Sequence, residues 1–161
     1  MKFSRTFFLA TALCLAPLSV SAQPIVTGDL TLSSPWTRAT PPNAKGAGAF
    51  IKITNSGQSE DKLISVESNV AKRTEVHEMK VVDGIMKMRP VENGIVIPEG
   101  QTLELKPGSY HVMFMGLKQP FKMGEEVQVQ FNFEKAKPVT VNFPVEKIGA
   151  KAPSSMNHHS N

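Results

Sequence analysis

The sequence predicts an all-β fold, on three observations. No long stretch holds apolar residues at the 3.6-residue spacing of a buried helix face. Short alternating runs recur instead, as in Val127-Gln128-Val129-Gln130-Phe131-Asn132-Phe133, with one face inward and one wet. Gly, Pro, Asn and Asp bound these runs, as turns between antiparallel strands require. About nine strands in some 125 residues fit a Greek-key β-sandwich or barrel, as a single domain.

The first segment stands apart from that domain. Residues 1–22 read as a secretory signal peptide, with Lys2 and Arg5 as its positive start. Phe7 to Val20 is an apolar run too short to span a bilayer. Val20-Ser21-Ala22 supplies the small side chains of a cleavage site before Gln23. Cys14, the only cysteine, lies inside that run. Leu13 precedes it where a lipid-attachment signal would carry a small residue, so no lipid anchor is expected. No later run of about 18 apolar residues follows, so a soluble exported protein without membrane insertion is expected.

The domain occupies residues 23–149. Its expected strands are Leu30–Ser33, Gly48–Thr54, Lys62–Glu67, Arg73–Val81, Ile85–Val91, Thr102–Leu105, Tyr110–Met115, Val127–Glu134 and Val139–Val145. Asn55-Ser56-Gly57, Asp83-Gly84, Glu99-Gly100 and Pro107-Gly108 punctuate them, because Gly and Asn accept turn conformations that other residues resist. Trp36 reads as a packing anchor near the first strands. Arg38 beside it reads equally as a brace for a loop or a contact for a partner. Residues 150–161 carry no strand pattern and read as a flexible tail containing Met156, His158 and His159.

Composition excludes several functions. The formal charge is +4. Losing Lys2 and Arg5 leaves 16 basic residues against 14 acidic, or +2, scattered without a basic stripe, so no nucleic acid is expected as a partner. Without Cys14 the mature chain has no thiolate, which excludes a disulfide, a cysteine nucleophile and the copper–thiolate bond of blue-copper electron carriers. No C-x-x-C-H haem attachment and no Gly-x-Ser-x-Gly elbow is present, and Gln23 as first residue is not the histidine of an N-terminal copper brace. An enzyme is not expected.

What remains is an uneven distribution of histidine and methionine. Five of the eight methionines fall between residues 79 and 115, with the only two histidines outside the tail, His77 and His111. Asp83-Gly84 between alternating runs predicts a two-residue hairpin. With that loop, Val82 faces Ile85, Val81 faces Met86, and Met79 faces Met88. Period 2 then gathers His77, Met79, Met86 and Met88 on one surface. On the later strand, His111, Met113 and Met115 share one face, and Tyr110, Val112 and Phe114 the other. Thioether and imidazole suit Cu(I), whereas zinc prefers thiolate, imidazole or carboxylate. Methionine is also a common core filler. Composition and register alone accommodate either reading.

The pattern resembles the PCu(A)C family of periplasmic copper chaperones. That family's signature is a histidine, ten residues, a methionine, about 21 residues and His-x-Met. Here His77 is followed by ten residues and Met88, then by 22 residues and His111-Val112-Met113. The one extra residue is expected in the loop Glu92–Gly100. Trp36-Thr37-Arg38-Ala39-Thr40-Pro41-Pro42, Met88-Arg89-Pro90-Val91 and Leu105 to Met113 also resemble the family, over residues 28–145 in all. The resemblance implies a cupredoxin-like sandwich with one Cu(I) held by His77, Met88, His111 and Met113. It implies delivery to the CuA centre of cytochrome c oxidase, alongside Sco-like partners, from a periplasmic monomer. Met79, Met86 and Met115 lie outside the signature; packing is favoured for Met115, while auxiliary ligation, a part in transfer and packing all stay open for the other two. The tail residues Met156, His158 and His159 offer a separate candidate site for Cu(II), set against a plain solvated tail. A copper buffer without a dedicated acceptor, and a metal-free β-sandwich interaction module, are the competing functions.

Overall fold

The computed structural model describes residues 23–154. The signal-peptide segment with Cys14, and the tail residues Met156, His158 and His159, lie outside them. Eleven strands and no α-helix are found among the described residues: β1 Ile25–Thr27, β2 Leu30–Arg38, β3 Gly46–Asn55, β4 Asp61–Glu67, β5 Ala71–Val82, β6 Ile85–Pro90, β7 Ile95–Ile97, β8 Thr102–Leu105, β9 His111–Leu117, β10 Glu126–Phe133 and β11 Val139–Glu146.

The strands pair in the order β6-β5-β9-β3-β2-β11-β10-β4-β7, with β1 on β2 and β8 on β3. All pairings are antiparallel except the parallel contact of β11 with β2, at Val145–Thr37 and Glu146–Arg38. The sheet folds over itself, so its two halves share one core. Leu30, Leu32, Ile51, Ile53, Val112 and Phe114 come from one half, and Leu63, Val129, Phe131, Val141 and Phe143 from the other. Each fully buried side chain of this size contributes about 1.5–3 kcal/mol by leaving water. Phe131 stacks on Phe143 with centroids 6.0 Å apart.

The expected all-β class and single domain hold, and the nine expected strands are all present. Two further strands escaped the sequence reading. β1 and β7 have three residues each, too short for alternation to register. β7 corrects the reading of Glu92–Gly100 as a plain loop: Ile95–Ile97 pairs with Leu63–Asp61, and Ile97 is fully buried. β2 also runs on past Ser33. Ser33-Ser34-Pro35 reads as a strand end, but here it forms a bulge, with Ser34 at φ 52° and a register shift between Ser33 and Trp36. The inserted residue reverses the strand's parity. Leu30 and Leu32 enter the core before the bulge, whereas Trp36, paired with Phe50, faces the opposite side after it. The segment after β11 packs on that side as well: Ala150 is buried with Trp36 and Phe50, and Ser154 donates to the Glu146 carboxylate.

Candidate metal centre

The site face is assembled by strand pairing. Asp83 and Gly84 both adopt positive φ, 54° and 74°, as a two-residue hairpin turn requires. The resulting register pairs Val82 with Ile85, Val81 with Met86, Met79 with Met88 and His77 with Pro90, as the sequence predicts. β9 lies on the other side of β5. It pairs Val76 with Val112 in the core and His77 with His111 on the opposite face. β3 follows, with Gly48 opposite Met113 and Gly46 opposite Met115.

His77 and His111 are therefore direct cross-strand neighbours, with ring centroids 6.1 Å apart. Both are buried, at 8% and 5% exposure, although they lie off the main core. Their rings are held differently. His111 Nδ1 lies 3.0 Å from the Ser109 carbonyl oxygen and donates to it, which leaves the lone pair on Nε2. Burial is the main cause that lowers the His111 pKa from its ordinary value of 6.5. The Ser109 bond opposes this shift, and the neighbouring His77 adds to it. The ring is thus biased toward the neutral form that a metal needs. His77 Nε2 lies 3.0 Å from Glu75 Oε2. Donation to that carboxylate leaves the lone pair on Nδ1, which is buried without a hydrogen-bond partner. A buried imidazole nitrogen with no partner is costly unless something else binds there, and a carboxylate behind the ring is the usual support of a metal-ligating histidine.

Beside the His pair lies an open depression of about 490 Å³, lined by His111, Met113, Met79 and Met88, with Arg38, Phe50, Pro107 and the backbone of Gly46 and Gly48. Gly46 makes room. A Cβ there would stand 3.0 Å from the Met113 methyl carbon and 3.1 Å from the Phe114 carbonyl oxygen, whereas one on Gly48 would meet the His111 ring at an ordinary contact distance of 3.8 Å. Met88 is 45% exposed and forms the outer wall. All four residues of the expected ligand set, His77, Met88, His111 and Met113, thus lie on one face, three of them around the depression and His77 against His111. Among the described residues no three His, Cys, Asp or Glu side chains converge. The donor set is therefore imidazole and thioether, which favours Cu(I) over zinc or a hard cation.

Met115 does not join it. The Arg73 guanidinium donates to the Met115 sulfur at 3.6 Å and also meets Glu75 at 3.8 Å. Arg38 resolves as a brace: its guanidinium sits 5.3 Å from the Trp36 ring centre and 5.0 Å from that of Phe50, and its Nε donates to the Ala150 carbonyl at 2.6 Å. The sequence reading missed Glu75, Ser109, Gly46 and Gly48. Glu75 left a usable signal, since a carboxylate two residues before His77 must share its strand face. The glycines and Ser109 acquire meaning only once β3 and the turn before β9 are placed.

The family described as putative lipoprotein LpqE-like matches residues 30–145. The putative lipoprotein Lxx21020 of Leifsonia xyli subsp. xyli is 32% identical over 138 residues, 83% of this chain and 80% of that protein. The solution structure of CuI-DR1885 from Deinococcus radiodurans is 27% identical, covers 79% of this chain and 83% of its own, and superposes with a TM-score of 0.55. The copper-bound PCuAC domain from PmoF2 is 23% identical, covers 78% of this chain and 98% of its own, and has a TM-score of 0.64. These likenesses establish the fold as that of PCuAC domains, a cupredoxin-like β-sandwich.

Proposed function

The chain belongs to the LpqE-like family, and on that premise we propose that it is a periplasmic copper chaperone, exported by residues 1–22. It binds one Cu(I) through His77, Met88, His111 and Met113 and passes it to an acceptor, the CuA centre of cytochrome c oxidase or a Sco-like protein. The observation that carries this reading is the buried His77–His111 pair beside the thioethers of Met88 and Met113. The Cu(I)-bound and copper-bound relatives support the metal, and the putative-lipoprotein relative supports a place in the cell envelope.

The chemistry suits a carrier. Two neutral imidazoles and two thioethers leave the ion's charge uncompensated, so an acceptor offering thiolates is preferred. Methionine cannot be lost to a disulfide in an oxidising compartment, though strong oxidants convert it to sulfoxide. Exposure of Met88 lets an acceptor displace the ligands stepwise from the outside. The copper-bound relatives support the role of a carrier rather than an enzyme.

An anaerobic Cu(I) competition titration against a chromogenic chelator tests the reading. One tight equivalent is expected, lost in His111→Ala. No saturable Cu(I) site would leave a metal-free interaction module, and binding indifferent to His111 would overturn this ligand set. A copper buffer has the same ligands and differs only in transfer: a carrier gives up its ion to a dithiol acceptor faster than free dissociation allows.

A further inference from the structure

The proposed centre uses one of three methionines on the β5–β6 hairpin. Met79 is the direct cross-strand partner of Met88, and Met86 lies two residues along β6 on the same face. Opposed Cβ atoms in such a pair lie about 4.5–5.5 Å apart and diagonal neighbours about 7–8 Å. Each sulfur ends a side chain with three rotatable bonds. The three thioethers can therefore meet around one ion.

Packing does not account for the two methionines of β6, although Met79 on β5 is half-buried. Met86 is 67% exposed and Met88 45%, so little of their apolar area leaves water. The charged residues of the hairpin take the opposite face: Glu78 is opposite Arg89 and Lys80 opposite Lys87. Thioether sulfur is therefore the donor that the hairpin's Met79–Met88 face offers, and it selects soft monovalent ions. Exposure rises outward from the buried His pair through Met88 to Met86.

We propose that Met79, Met86 and Met88 form a second, outer site of thioethers alone for Cu(I), weaker than the His/Met centre. The assignment rests on the Cu(I) reading of that centre for its role in transfer, with Met88 shared between the two. An ion moves outward while the Met88 sulfur stays bound: its bonds to His77, His111 and Met113 break as bonds to Met79 and Met86 form. Copper remains Cu(I) throughout, and no electron or proton is transferred.

The test is a titration of the protein, labelled with 13C at its methionine methyls, with Ag(I) as a redox-inert substitute for Cu(I). The first equivalent is expected to shift the Met88 and Met113 methyl signals, and further Ag(I), competing for the shared Met88 sulfur, those of Met79 and Met86. In Met86→Leu, which keeps the face apolar and leaves the depression's lining intact, the first equivalent is retained, the Met79 methyl no longer shifts with further Ag(I), and transfer to a dithiol acceptor slows. Met79 and Met86 methyls that stay still in excess Ag(I), or a Met79 methyl that shifts as in wild type in Met86→Leu, would overturn the outer site. An unmoved Met113 methyl would overturn the inner centre instead, and movement of Met79 and Met86 would still support the outer one.

Discussion

His77 and His111 face each other across β5 and β9, yet opposite nitrogens of the two rings are tied back: Nε2 of His77 by Glu75 and Nδ1 of His111 by the Ser109 carbonyl. Each ring thus keeps one nitrogen for another partner, and neither can rotate without breaking its hydrogen bond. The pair is set before any ion arrives, which lowers the ordering cost of binding.

Glu75 is the first residue to probe. It touches no proposed cargo and acts by orienting His77. Glu75→Leu should weaken Cu(I) binding by about 10–100-fold, the usual effect of losing a supporting partner. Glu75→Gln keeps an acceptor oxygen and should lose much less. Cu(I) competition measures both, and 15N shifts of the His77 ring should show the tautomer released only in the Leu variant.

The lowered pKa of His111 has a consequence for the metal-free protein. Below the ordinary value of 6.5 the unfolded chain takes up a proton that the folded chain resists. Stability is therefore fully present above 6.5 and falls as pH drops from 6.5 toward the lowered folded value. The urea midpoint should fall between about pH 7.5 and about pH 5.5, and fall less in His111→Gln.

Gly46→Ala should act on Met113. The new Cβ meets the Met113 methyl carbon at 3.0 Å, which can swing away, and the Phe114 carbonyl oxygen at 3.1 Å, which is held in the β3–β9 ladder. A cost of roughly 1–3 kcal/mol is expected from this overpacking, together with weaker Cu(I) binding. Denaturant unfolding and competition titration check the two effects.

Arg38→Ala removes the cation over Trp36 and Phe50 and the bond to Ala150. A loss of about 0.5–2 kcal/mol is expected. Trp36 is the chain's only tryptophan, so its fluorescence reports release of the segment after β11. An emission spectrum unchanged from wild type would mean that the aromatic pair holds this segment without Arg38.

The sequence by itself determined the elements whose causes are local. Alternation marked most of the strands, and Asp83-Gly84 with period 2 set the β5–β6 register, down to Met79 opposite Met88. It likewise separated His111 and Met113 from Val112 and Phe114. What only the tertiary structure decided is non-local. Nothing in either strand's pattern says that β9 lies beside β5 in the one register that opposes His77 and His111, because that choice depends on burying Val76, Val112 and Phe114 against the other half of the sheet. The bulge at Ser34 that turns Trp36 toward the site face, and the depth that leaves His77 Nδ1 without a partner, arise in the same way. Turn geometry and side-chain alternation act over a few residues, whereas strand order is settled by the summed burial of whole faces.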